Sequence, residues 1–241
     1  MTRSTTLSGS AARADRAQRG EAAAVPEELI AALTAGQVPR DAALALLRTH
    51  LGQFQGQVQE GFEAHQVSGL AAARWLASLT DGMMLAIHAY ALAMVPAKNP
   101  AEAAEPAFAL VATGGYGRGV LAPYSDIDLL FLVDSSAGPR AQRIVEFVLY
   151  LLWDLGLKVG HATRSARDCQ EEGARDATIL TALVDARFLA GERPIFDRFQ
   201  AAFTKARLDR GLRPFLAAKR AERDARPVSY THLRAHETVL D

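Results

Sequence analysis

One cysteine, no excess of either charge and no long uninterrupted apolar run set the first limits on this chain of 241 residues. A lone Cys169 can form neither an internal disulfide nor a cysteine-rich metal site, which fits a reducing compartment and makes the cytoplasm the expected location. Lys and Arg number 27, as do Asp and Glu. No global field therefore draws the chain to nucleic acid or to an anionic membrane, and any phosphate binding is local. The most membrane-like stretch, Trp75 to Ala97, is interrupted by Asp81 and His88, which leaves fewer than the ~20 apolar residues a bilayer crossing needs. It reads as a buried helix. Residues 1–25 lack the apolar block of a secretory signal and read as a disordered lead-in. Internal repeats and extended low-complexity tracts are absent.

What is present is enough apolar material, 49% of the residues, for one good core or a catalytic domain with a helical companion. From Pro26 to about Ala97, apolar residues recur at helical spacing: Leu29, Ile30 and Leu33, then Leu44, Leu47 and Leu51, then Leu70, Trp75, Leu76 and Leu79. Breaks at Gly36 to Pro39 and Gln66 to Gly69 predict one short helix and two longer ones. After the prolines at 96, 100 and 106 the texture changes. Phe108 to Ala112 and Ile127 to Val133 read as buried strands. Ile144, Val145, Val148, Leu149, Leu152 and Trp153 mark a helix that stops at Gly156. Leu157 to Arg164 reads as a third strand, and Ser165 with Asp168 as a capping pair opening the next helix. The remainder reads as helical, with segments near Ala177 to Leu189, Pro194 to Ala206 and Leu208 to Arg223.

The expected fold class is α+β: a small mixed β-sheet core over 98–175, flanked by an N-terminal helical region over 26–97 and a C-terminal helical annex over 176–226. Residues 227–241 continue neither texture. They read as a non-native tail resembling translated cloning read-through, so the natural protein is expected to extend beyond this chain.

The chemistry concentrates in two neighbouring strings. In Gly114-Gly115-Tyr116-Gly117-Arg118-Gly119, glycines lacking a β-carbon let phosphate oxygens approach backbone N–H groups. Arg118 offers a guanidinium fork for phosphate. In Ser125-Asp126-Ile127-Asp128, carboxylates two residues apart along an extended segment face one side while Ile127 faces the other. Two such carboxylates suit Mg²⁺, with Mn²⁺ as an alternative, because hard cations are commonly held by one or two carboxylates plus substrate phosphates. Ser125 adds a hydroxyl. A glycine-rich turn alone usually serves chain reversal, but joined to Ser-Asp-x-Asp at this spacing it points to nucleotide chemistry.

A strand running into Gly-Gly, about ten residues, then Asp-x-Asp on a second strand resembles the DNA polymerase β-type nucleotidyltransferase superfamily. The fuller string through Pro123-Tyr124-Ser125-Asp126-Ile127-Asp128-Leu129-Leu130 is similar to the bifunctional uridylyltransferase/uridylyl-removing enzymes of bacterial nitrogen regulation. Trp153 to His161 extends the match, and Thr181 to Leu183 and Ala186 to Gly191 continue it more loosely. The resemblance covers roughly residues 27 to 225. It implies metal ligation by Asp126 and Asp128, and nucleotide phosphates lined by Gly114 and Gly115. It also implies transfer of UMP from UTP to a tyrosine of the PII signal protein, with pyrophosphate released. The family's uridylyl-removing and glutamine-sensing domains have no room here, so glutamine is expected as an effector only of a longer enzyme. An adenylyltransferase-like specificity, or a nucleotide-binding regulatory module without turnover, are the alternative readings. One feature departs from the pattern: the third strand offers Gly160 and His161 where a third carboxylate is common, and nothing in the spacing aims Asp154 at the site.

Other residues have plainer readings. His161 is carried as a further site candidate, against a packed, hydrogen-bonded histidine. Arg164 touches phosphate or neutralises a surface carboxylate. Trp75 and Trp153 read as core. His232 and His236 have helical metal-site spacing but fall in the suspected tail.

Overall fold

The structure, a computed structural model, describes residues 27–102, 107–134 and 136–210, with a few positions between 216 and 224. The expectations for residues 1–25, for the tail and for His232 and His236 lie outside the described residues.

Three helices precede the sheet: α1 (Glu27–Thr34), α2 (Arg40–Glu63) and α3 (Gly69–Met94). They match the short-long-long pattern and its breaks. Ser68 opens α3 by accepting the Ala71 N–H at 3.2 Å, which satisfies one of the first-turn donors a helix leaves orphaned. By length and composition α3 could cross a bilayer. Here, however, Met83, Met84, Ile87, Tyr90 and Ala91 are buried in the main core, as expected of a core helix.

The sheet has strand order β3-β2-β1-β4. Its strands are β1 (Phe108–Ala112), β2 (Ile127–Val133), β3 (Val159–Ser165) and β4 (Arg187–Gly191). β1 pairs antiparallel with β2 and β4, while β2 pairs parallel with β3. The sheet is therefore mixed, and the fold is α+β with flanking helices. The parallel pair needs a crossover, supplied by α5 (Pro139–Asp154). Pro139 stands in its first turn, and Gly156 at φ +74° turns the chain out of it.

β1 is buried at every position, because both faces of the sheet are covered. One face, with Phe108, Leu110, Ile127, Leu129 and Phe131, packs on α1, α3 and α5. The other, with Ala109, Val111, Leu130 and Leu132, packs on α6 (Ala166–Arg175), α7 (Ala177–Val184) and α8 (Arg193–Arg210) through Cys169, Leu183, Ile195, Phe196, Phe199 and Phe203. The Ser165–Asp168 pair forms a reciprocal capping box at the start of α6.

Three expectations change. The stretch read as one helix from Ala177 to Leu189 ends at Val184, and Arg187–Gly191 is the fourth strand. The sheet thus extends past residue 175 into the segment read as helical annex. Helical spacing of apolar residues hid a short strand that is covered on both faces and so lacks alternation. Trp153 is 47% exposed, packing edge-on against Tyr150 and His161 on the surface of α5 rather than in the core. Trp75, at 2% exposed, is core as expected. Gly114 and Gly115 do not end β1: they begin a four-residue helical turn, α4 (Gly114–Gly117).

Candidate metal and nucleotide site

Asp126 lies just before β2 and Asp128 within it, on either side of the buried Ile127. Ile127 belongs to the core under α3 and α5, so alternation sends both carboxylates toward the opposite face. Asp126 is exposed and Asp128 half-buried. Burial first, and the neighbouring Asp126 charge second, hold the Asp128 carboxyl above its ordinary value. A carboxylate that is partly desolvated beside another negative charge is an unfavourable arrangement by itself and a favourable one around a cation.

Two glycines frame Asp128. A β-carbon on Gly114 would lie 2.8 Å from Oδ2, and one on Gly160 would lie 2.5 Å from Oδ1. Gly114 also holds φ +57°, a conformation side chains rarely adopt. The register places Gly160 directly beside Asp128. The position where the superfamily resemblance leads one to look for a third carboxylate is thus occupied by the residue that gives Asp128 its clearance. Among the described residues, no group of three His, Cys, Asp or Glu side chains could hold a metal ion. Asp154 is turned to other work, accepting Arg40 Nη2 at 2.5 Å.

The glycine turn is tied to the carboxylate strand through its backbone, with Thr113 N–H donating to the Asp128 carbonyl at 3.0 Å. The first bond within the turn is Gly117 N–H to the Thr113 carbonyl at 2.8 Å. The N–H groups of Gly114, Gly115 and Tyr116 precede it, as the leading amides of any helical turn do. Leading amides of this kind suit anionic oxygens.

The remaining sequence candidates are placed differently from one another. Arg118 adjoins the turn but is engaged, its Nη1 donating to Asp185 Oδ2 at 2.6 Å. The Ser125 hydroxyl donates to the Ala122 carbonyl at 2.9 Å, closing the loop that delivers Asp126. His161 is not brought to the site. It pairs with Leu129 and so lies on the face away from Asp128, exposed, with its ring 5.9 Å from that of Trp153. The alternation that aligns Asp126 with Asp128 separates His161 from them. Arg164 pairs with Glu172 at 2.6 Å, the surface-neutralising reading.

Sequence reasoning missed the part played by Gly160, although a glycine inside a strand is itself a signal of close approach. It also missed Asp81 and Arg187. Asp81 entered only as a charge interrupting an apolar run, and Arg187 lay in a segment read as helix. The two form a bidentate pair, at 2.7 and 3.0 Å.

Comparison with known proteins is consistent with this geometry. Residues 102–181 match the nucleotidyltransferase domain family, and the chain carries such a domain. Over 205 residues, 85% of its length, the chain is 42% identical to a bifunctional uridylyltransferase/uridylyl-removing enzyme of Gluconobacter oxydans. It is likewise 42% identical over 201 residues, 83% of its length, to the enzyme of the same name from Azospirillum brasilense. The chain spans about a fifth of the length of these curated relatives, 21% in each case.

Proposed function

For a chain that carries a nucleotidyltransferase domain and is homologous over most of its length to uridylyltransferases, we propose a metal-dependent uridylyltransferase. It moves UMP from UTP to a tyrosine hydroxyl of the PII signal protein in the cytoplasm. The observation that carries this reading is Asp128, set beside Asp126 and cleared on both flanks by Gly114 and Gly160.

The donor set fits a divalent cation: two carboxylates facing one side, one of them held above its ordinary pKa by burial and by the other. Asp126 and Asp128 would hold Mg²⁺ or Mn²⁺. An ion held there would polarise the α-phosphate and offset the charge of the leaving pyrophosphate. The chain's own residues do the rest. The leading amides of the glycine turn receive phosphate oxygens, and Gly114 keeps the turn close to Asp128. Arg118 can exchange its Asp185 partner for phosphate, since both are anionic oxygen acceptors for the same guanidinium. In the transfer, the tyrosine oxygen bonds to the α-phosphorus of UTP, the bond from that phosphorus to the β-bridging oxygen breaks, and the tyrosine proton passes to solvent.

A second reading, a nucleotide-binding module without turnover, is favoured by one observation: among the described residues no third ligand joins the two carboxylates. Incubation with Mg²⁺, PII and UTP or ATP labelled at the α-phosphorus decides between the readings. Label on PII from UTP alone supports the uridylyltransferase. Transfer from ATP alone, or to a different acceptor, overturns it, and UTP binding without transfer favours the module.

A further inference from the structure

Arg187 reaches from β4 into the space between the glycine turn and α3. Its Nη1 and Nη2 donate to Asp81 Oδ2 and Oδ1 at 2.7 and 3.0 Å. Nε donates to the Gly117 carbonyl at 3.2 Å, and Nη2 to the Tyr116 carbonyl at 3.2 Å. The guanidinium also lies over the Tyr116 ring, 5.5 Å from its centroid. One planar group thus binds a helix on one side and two consecutive turn carbonyls on the other, a geometry that needs the guanidinium fork.

The remaining contacts of the turn make this anchor more telling. The Tyr116 phenol is buried beside Asp81 and Arg187, so the side chain of the turn's own tyrosine belongs to the same anchor. Gly117 is pressed against the Asp185 and Ala112 carbonyls, leaving no room for a side chain. Arg118 holds Asp185 from an exposed position, its side chain 55% accessible, where solvent weakens an ion pair. Arg187 and Asp81 are more enclosed, at 34% and 20%. In a helical turn the carbonyls point toward the C-terminal end and the amides toward the N-terminal end. Holding the carbonyls of Tyr116 and Gly117 therefore sets the direction of the amides of Gly114 and Gly115.

We propose that Arg187, held by Asp81, is the positioning residue of the glycine turn, aiming its leading amides at the nucleotide phosphates and keeping Gly114 in register with Asp128. This rests on the reading that the turn receives phosphate. Neither side chain touches a reacting atom. Their effect is on how well the turn binds nucleotide, and it passes from α3 through β4 to the site.

The test uses the full chain as wild type, Arg187→Lys, Asp81→Asn and the double variant. Each is followed by thermal unfolding, UTP calorimetry, and UTP-dependent KM and kcat. Lysine keeps a cation for Asp81 but cannot span both carbonyls. Arg187→Lys is expected to unfold within a few degrees of wild type while the KM and Kd for UTP rise about tenfold, with kcat changing less. The double variant should lose little more than the worse single one, because the two residues act as a unit. Unchanged KM and Kd in Arg187→Lys, or activity lost only in proportion to the unfolded fraction, overturns the proposal. Should Arg187→Lys fail to fold, the near-isosteric Asp81→Asn decides by the same readouts. A wild type that binds UTP without turnover removes the transferase reading but leaves the Kd comparison decisive for Arg187. A wild type that neither binds nor turns over UTP overturns both.

Discussion

Asp128 and Gly160 sit side by side in the parallel β2–β3 pair, and the bare face of the glycine is what gives the carboxylate its room. A β-carbon at 160 would approach Asp128 Oδ1 to 2.5 Å, closer than such atoms pack. Gly114 guards Oδ2 in the same way from the turn. The carboxylate geometry is therefore enforced by what two neighbours lack.

Gly160→Ala should leave the fold intact, since β3 is an edge strand, yet push Asp128 off its position. A displacement of that order costs about a hundredfold in rate. Steady-state kinetics beside circular dichroism checks it: native unfolding with kcat/KM near wild type would deny Gly160 this role.

The raised pKa of Asp128 predicts a pH dependence for the metal-free protein. Its folded value lies above the unfolded 3.8, so ionising it costs stability in the fold. The penalty is absent below the unfolded value and complete once pH has risen past the folded one. Asp128→Asn should remove it, leaving the variant more stable than wild type at neutral pH while it loses transfer. Urea unfolding across the acid-to-neutral range, in the presence of a chelator, measures this.

Cys169 is fully buried, and burial pushes its thiol up to about 12. It should resist alkylation until the protein unfolds, because the thiolate is the reactive species. Mass spectrometry of iodoacetamide-treated protein, native and denatured, reads the difference.

Phe199 on α8 is 1% exposed and stands between Phe196 and Phe203 under the sheet. Phe199→Ala should cost about 3–5 kcal/mol, measured by denaturant unfolding, if α8 belongs to the catalytic core. A loss near zero would restore the helical annex as a separate unit.

Much of this was legible in the residues. The helices before the sheet, three of the four strands and the Ser165–Asp168 cap followed from periodicity and punctuation. Strand alternation predicted Asp126 and Asp128 on one side; the structure has Asp128 within β2 and Asp126 just before it, near enough for its charge to be felt at Asp128. β4 escaped because Arg187 to Gly191 is short and covered on both faces, leaving no alternation to read. His161 was kept as a candidate because nearness in sequence to Gly160 carries no sign of face. Only the register, with Leu129 beside it, puts it with Trp153. The tie from Asp81 to Arg187 joins residues 106 positions apart, and no local pattern encodes such a pairing.

The most direct test of the central claim follows the two ends of the triphosphate. With PII and Mg²⁺, UTP labelled at the α-phosphorus should place its label on the acceptor tyrosine. UTP labelled at the γ-phosphorus should release its label as pyrophosphate, and Asp128→Asn should abolish both. Label from the γ-phosphorus on protein, or transfer that survives in Asp128→Asn, would contradict nucleotidyl transfer at this pair of carboxylates.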